Sequence, residues 1–207
     1  MKTTRTKKEK TIRMAEMAVL VALLLIMAFT PLGYLKIGLI SITFLTVPVI
    51  IGAITLGPAA GAVLGGFFGL TSFAQCFGMD AFGTILFGIN PFFTALLCFG
   101  ARILMGLFTG LIFRGLAKID RTRLISYGIT GICGSLLNTL LFVGGFILLF
   151  GNTAYFAELM AQTGADTLLA FAVAFVGVNG LVEAIVCFVV ASAGAKALHV
   201  FTQKMTA

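Results

Sequence analysis

Charge is scarce in this chain. Of its 207 residues 14 are Lys or Arg and seven are Asp or Glu, a charged fraction of 10% against roughly a quarter in an ordinary soluble domain. Such a composition excludes a water-soluble globule. Tryptophan is missing although 21 phenylalanines are present, so no indole is there to stack on a large flat ring or to anchor at a membrane interface. The four cysteines, Cys76, Cys98, Cys133 and Cys187, form no CxxC and have no histidine near them, which argues against a metal site or a disulfide framework. They are expected to be small packing residues. His199, the lone histidine, is read as an interfacial residue. HExxH, GxSxG and paired carboxylates are all absent, and no GxxxxGK[ST] is there to cradle a phosphate. No catalytic residue, metal ligand or cofactor is therefore expected. Although the net charge is +7, the basic residues form no stripe among aromatics of the kind nucleic acid requires.

What is present is a series of long apolar runs. Hydrophobic residues make up 60% of the chain and the mean hydropathy is +1.14. A membrane helix needs about 20 apolar residues, so this length has room for six and for little else. Apolar runs read against Gly, Pro and charge predict helices over Ile12 to Thr30, Ile37 to Leu56, Pro58 to Phe77, Pro91 to Phe113, Leu124 to Phe150 and Asp166 to Leu198. The last two exceed one bilayer width and must tilt or project. Lys2, Arg5, Lys7, Lys8, Lys10 and Arg13 precede or open the first run, which is too long for a signal peptide and lacks a small-residue cleavage site. Residues 1–11 are accordingly read as a basic cytoplasmic segment and 12–207 as one membrane domain. Alternation then places Arg114, Lys118, Arg121, Arg123, Lys196 and Lys204 on the same side as the basic N-terminus, with Lys36, Asp80, Glu158 and Asp166 opposite. This is the positive-inside pattern. The expected fold is an all-α integral membrane protein with six transmembrane helices and both termini in the cytoplasm.

Gly57-Pro58 leaves almost no loop between the second and third helices, which must run antiparallel. Gly57, Gly61, Gly65 and Gly69 recur every fourth residue and share one helix face, where missing side chains let another backbone approach. Arg102 lies in the middle of the fourth span, where a charge is costly and usually faces a protein interior, a partner charge or a ligand. At about 1.5 Å of rise per residue, Arg102, Asn138 and Glu183 fall at nearly one depth. Asn179 shares a face with Glu183 four residues on. Arg102 can pair with Glu183, or its fork can grip a ligand carboxylate, and the two roles are compatible. Asn138 can bind a ligand or join helices by hydrogen bonding. Asn90 before Pro91 resembles a helix cap with proline at the first position. Asn90 and Gln75 flank the connection Gly78 to Asn90, which reads either as a lid or as a simple link. Asn152 to Gln162 is read as a second outer cap.

These features resemble one family. The basic N-terminus, the Ala18-x-x-x-Ala22 pair and the run VPVIIGAITLGPAAGAVLGGFFGLTSF are similar to the substrate-binding (S) components of energy-coupling factor (ECF) vitamin transporters, over essentially the whole chain. The segments FGINPFF, ARILMGL and GSLLNTLLF most resemble the pantothenate-specific branch. The resemblance implies a vitamin binder in the bacterial cell membrane, without an ATPase of its own, that docks on a membrane coupling protein carrying two ATP-binding cassette ATPases. By the same resemblance Ala18 and Ala22 form the docking face, Arg102 holds the ligand carboxylate and Asn138 bonds the ligand's polar backbone, with Gln75 and Asn90 as further contacts. Asn179 and Glu183 are added by depth alone. Two alternatives stay open: an S component for another water-soluble vitamin, or a self-sufficient secondary carrier.

Overall fold

A computed structural model of the chain describes residues 7–30, 33–37, 40–120 and 124–198. Arg121, Arg123, His199, Lys204 and the basic residues before Lys7 lie outside the described residues. The chain is overwhelmingly helical. Helix α1 (Lys7–Ala28) buries Glu16, Leu20, Leu24 and Ala28 at four-residue spacing, a single stripe against the rest of the bundle. The hairpin β1 (Tyr34–Ile37) and β2 (Ile40–Thr43) follows, paired antiparallel from Tyr34 with Thr43 to Ile37 with Ile40. Helix α2 (Thr46–Thr55) is buried on all sides from Thr46 to Ile54, as expected of a helix that is apolar all round.

The next elements are α3 (Pro58–Gln75), the short α4 (Ala81–Ile89), α5 (Pro91–Leu116) and α6 (Leu124–Phe150). They are followed by α7 (Ala154–Thr163) and α8 (Leu168–Val186), which continues through a π-helical turn at Cys187–Ala191 and on to Leu198. Gly57 joins α2 to α3 with φ 98° and ψ 177°, a conformation open in practice only to glycine. The two helices pack antiparallel as expected, with Gly52 against Leu64 and Gly61 against Ala53.

Six transmembrane helices are not what the structure supports. Lys7–Ala28, Pro91–Leu116, Ile125–Phe150 and Gly180–Leu198 are each long and apolar enough to cross a membrane, which makes four, or up to five if the bent pair Ala154–Thr163 and Leu168–Gly177 counts as one span. Each departure has a local cause. Much of the expected helix Ile37 to Leu56 is taken by the alternating Ile-Ser-Ile-Thr of β2, a pattern that suits a strand. What remains as α2 is ten residues, about 15 Å at helical rise and so half a bilayer core. In α3, Gly61, Gly65, Gly66, Gly69 and Gln75 dilute the apolar character. The expected helix Asp166 to Leu198 starts at the Thr167 cap and breaks at Gly177, whose φ of 41° and ψ of −135° are not helical. Apolar runs alone register none of these interruptions.

The glycine stripe of α3 sets the centre of the fold. Gly61 lies on the carbonyl of Gly106, Gly65 on that of Arg102 and Gly69 on that of Cys98, while Gly110 answers from α5 against Pro58. Both helices contribute at four-residue intervals in opposite directions, so two backbones meet along several turns. At one end of the bundle, the guanidinium of Arg13 donates to the carbonyl of Leu56, and the guanidinium of Arg114 lies against Gly57. Phe113 stacks on Tyr127 at that end, 5.5 Å between centroids. At the other end Gln75 Nε2 donates to the carbonyl of Ala28 at 2.7 Å. There much of the phenylalanine gathers, with Phe146, Phe150, Phe156 and Phe171 buried together and Phe82 and Phe175 packed against them. Ring pairs such as Phe156 with Phe171, 5.0 Å apart and edge-on, are in the favoured aromatic geometry.

A leucine at Gly65 would drive into the Arg102 carbonyl. Gly65→Leu is expected to lower stability by about 1–3 kcal/mol, the range for overpacking. Gly66→Leu is the control, because Gly66 meets only the Ile103 side chain at 3.9 Å. Thermal unfolding in detergent checks this, and equal melting of the two variants would contradict the close α3–α5 contact.

Candidate functional site

The half of the bundle away from Arg13 and Arg114 encloses a cavity of about 1110 Å³. Its rim includes the exposed residues Met79, Ala81, Gln162 and Thr163, so it reaches the surface at that end. Four of the residues singled out by sequence line it together: Gln75 from α3, Arg102 from α5, Asn138 from α6 and Glu183 from α8. All four are buried, and no two share a helix. Arg102, Asn138 and Glu183, expected at one depth from helical rise, line the same cavity.

Arg102 is brought to that wall by the glycine contact, since Gly65 lies on its backbone carbonyl. Its guanidinium carbon sits 4.9 Å from the ring centroid of Phe68 and 4.4 Å from that of Phe142, inside the range of cation–π attraction. One ring comes from α3 and the other from α6, on either side of α5. They flank a guanidinium whose planar fork has the geometry for bidentate recognition of a carboxylate. Asn138 lies one helical turn before Phe142 on α6, and its Oδ1 is buried with no hydrogen-bond partner among the described residues. A buried amide oxygen of that kind costs stability unless something supplies a donor.

Glu183 is engaged with the hairpin. Its Oε1 accepts from the backbone N–H of Thr43 at 3.0 Å, which ties β2 to α8 at the cavity, and Thr43 itself lines that cavity. Gln75, tied to Ala28, holds the C-terminal ends of α1 and α3 together. Asn90 is placed differently from the rest. Its Oδ1 accepts from the N–H of Phe92 and of Phe93, both at 3.1 Å, so it caps α5, and it is not among the residues lining the cavity. Asn179 lies on α8 between the Gly177 break and Glu183, and its side chain is outside the described residues.

The two connections at the cavity end are helices. Asp80 Oδ2 accepts from the N–H of Gly83 at 2.7 Å and starts α4, while Thr153 accepts from Phe156 at 3.2 Å and starts α7. Phe82 and Leu86 of α4, with Tyr155 and Leu159 of α7, form part of the cavity wall. Phe68, Phe142 and Tyr155 were not predicted as site residues. The first two had a readable signal, because Phe142 stands four residues from Asn138 and Phe68 three from Gly65, each on the face that carries the site. Ala18 and Ala22 are exposed on the outer face of α1, opposite its Leu20 and Leu24 stripe, where a partner can reach them. Among the described residues no group of three or more His, Cys, Asp or Glu is placed to hold a metal ion.

A family model described as ECF transporter, substrate-specific component, matches residues 12–193. The chain belongs to that family. No curated protein matches the sequence. Membership makes the chain the substrate-specific component of an ECF transporter, a multi-pass membrane protein and a transporter component rather than an enzyme. It also implies association with an energising module of ATPases and a membrane protein.

Glu183→Ala removes the acceptor of the Thr43 amide. A hydrogen bond is worth about 0.5–1.5 kcal/mol net, so amide exchange at Thr43 is expected to accelerate by roughly two- to tenfold, with little change in α3 and α5. Hydrogen-exchange mass spectrometry of the hairpin peptide reads this directly. Equal exchange in wild type and variant would show that Glu183 does not hold β2.

Proposed function

We propose that the chain is the pantothenate-binding component of its transporter, in a bacterial cell membrane, handing cargo to a membrane coupling protein with two ATP-binding cassette ATPases. One observation carries the reading: a buried arginine, flanked by two aromatic rings, in the wall of a cavity lined mostly by apolar and neutral polar side chains, where the two acids Asp80 and Glu183 accept from the backbone amides of Gly83 and Thr43. A cargo suited to that wall has one carboxylate, a few neutral hydrogen-bonding groups and short apolar segments, and pantothenate has this make-up. Arg102 takes the carboxylate, and Asn138 and Gln75 take hydroxyl or amide groups. Glu183 orients the wall through the hairpin, with Asn179 one turn beyond it. Asn90 supports the site through the start of α5.

The positive-inside pattern supports a cytoplasmic basic end and a cavity that faces outward. The exposed Ala18 and Ala22 face supports docking of the coupling protein, because small side chains let a partner helix approach. The volume favours one second reading. Small-molecule sites span roughly 300–1,000 Å³, and a cavity of about 1110 Å³ also admits a bulkier water-soluble vitamin that carries a carboxylate. A secondary carrier has less support, because the family match is to a transporter component that works with an energising module; such a carrier would move cargo into liposomes without any partner.

Arg102→Ala is expected to weaken pantothenate binding by about 1.5–3 kcal/mol, the range for a hydrogen bond to a charged group, in a protein that remains folded. Unchanged affinity in a well-folded variant would sink the carboxylate assignment. Ala18→Phe and Ala22→Phe are expected to spare binding and to impair uptake in vesicles that contain the energising module. Loss of binding with normal docking would place the partner face elsewhere.

A further inference from the structure

Two of the four cysteines meet in the cavity wall. Cys76 ends α3 and Cys98 lies in the first half of α5. Both are free thiols, both are buried and both line the cavity. Ser72 links the two sulfurs: its carbonyl accepts from Cys76 Sγ at 3.3 Å, and its hydroxyl donates to Cys98 Sγ at 3.8 Å. The proximity is enforced by the main chain, because Gly69, three residues before Ser72, lies against the carbonyl of Cys98. Cys133 and Cys187 have no such arrangement. Cys187 Sγ lies 3.3 Å from Thr46 Oγ1, deep between α2 and α8, and Cys133 is half-buried on α6.

We propose that Cys76 and Cys98 are a modification site: a thiol pair that peroxide entering through the cavity closes to a disulfide across the α3–α5 contact. The chemistry balances with peroxide as the oxidant. One thiolate attacks a peroxide oxygen and becomes a sulfenic acid as the O–O bond breaks and one water leaves. The second thiol then attacks that sulfur, the S–S bond forms and a second water carries away the oxygen. Two electrons and two protons pass from the thiols to the peroxide. The cavity provides the access that a buried thiol otherwise lacks. Cys98 stands one helical turn before Arg102 and Cys76 directly after Gln75, so the new bond lies between two proposed cargo contacts. Drawing the sulfurs to bonding distance shifts both helices there, and reduced cargo affinity is the expected consequence. That consequence rests on the pantothenate reading; formation of the disulfide does not.

The test treats the full-length protein in detergent with hydrogen peroxide and maps its peptides without reduction. A Cys76–Cys98 crosslink is expected before any oxidation of Cys133 or Cys187, with loss of two hydrogens and reversal by dithiothreitol. Cys76→Ser and Cys98→Ser should each abolish it. Oxidation of Cys133 or Cys187 first, or a crosslink that forms only after unfolding, would overturn the proposal. Pantothenate titrations before and after oxidation are expected to differ by about tenfold or more in Kd, and to differ no longer when each serine variant is compared with itself. A crosslink without a change in affinity would overturn the effect on cargo. Failure of the reduced protein to bind pantothenate would count against the cargo reading, while the peptide map still decides the thiol pair.

Discussion

Everything at the site depends on two backbones in contact. The α3 and α5 helices touch through Gly61, Gly65, Gly69, Gly106 and Gly110, where no side chain keeps them apart. In a membrane the apolar surroundings offer no hydrophobic drive for helices to associate, so packing and interhelical hydrogen bonds must supply the attraction. Close backbone approach maximises that packing. It also sets the rotation of α5, and with it the direction in which Arg102 points. A charge held in a protein wall by Phe68 and Phe142 is tolerable where one exposed to lipid would not be.

The remaining elements complete an enclosure around this spine. The Glu183 carboxyl ties the hairpin to α8 through the Thr43 amide, and the α4 and α7 helices close the cavity end through aromatic packing around Phe146. Phe82 of α4 packs edge-on against Phe146 at 5.2 Å. Ring contacts of this kind are numerous and individually modest, which suits a wall that has to admit and release a ligand. The α8 segment carrying Glu183 lies between the Gly177 break and the π-helical turn at Cys187. Both irregularities interrupt the helical ladder beside the cavity, where such breaks often serve binding.

Much of this was legible in the residues. The four-residue glycine period points to a close helix contact, and helical rise puts Arg102, Asn138 and Glu183 near one level on three separate helices, all of which line the cavity. Asn90 before Pro91 was readable as a cap, and it is one. Its predicted contact with a ligand was a separate inference, and the capping role uses its oxygen for Phe92 and Phe93. The β-hairpin was hidden because its residues are apolar and continuous with α2, and an apolar run alone does not distinguish strand from buried helix. The bend at Gly177 was hidden for a similar reason: a single glycine in a long apolar run usually continues the helix. The pairing of Cys76 with Cys98 could not be read from spacing, because only the register of α3 on α5 brings them together.

The central claim is that this cavity recognises a small carboxylate through Arg102. Calorimetric titration of the purified chain, without partners, with pantothenate and then with its uncharged amide tests that claim most directly. Tight binding of the acid and weak binding of the amide is the predicted result. Equal affinity for the two would contradict the role of the arginine.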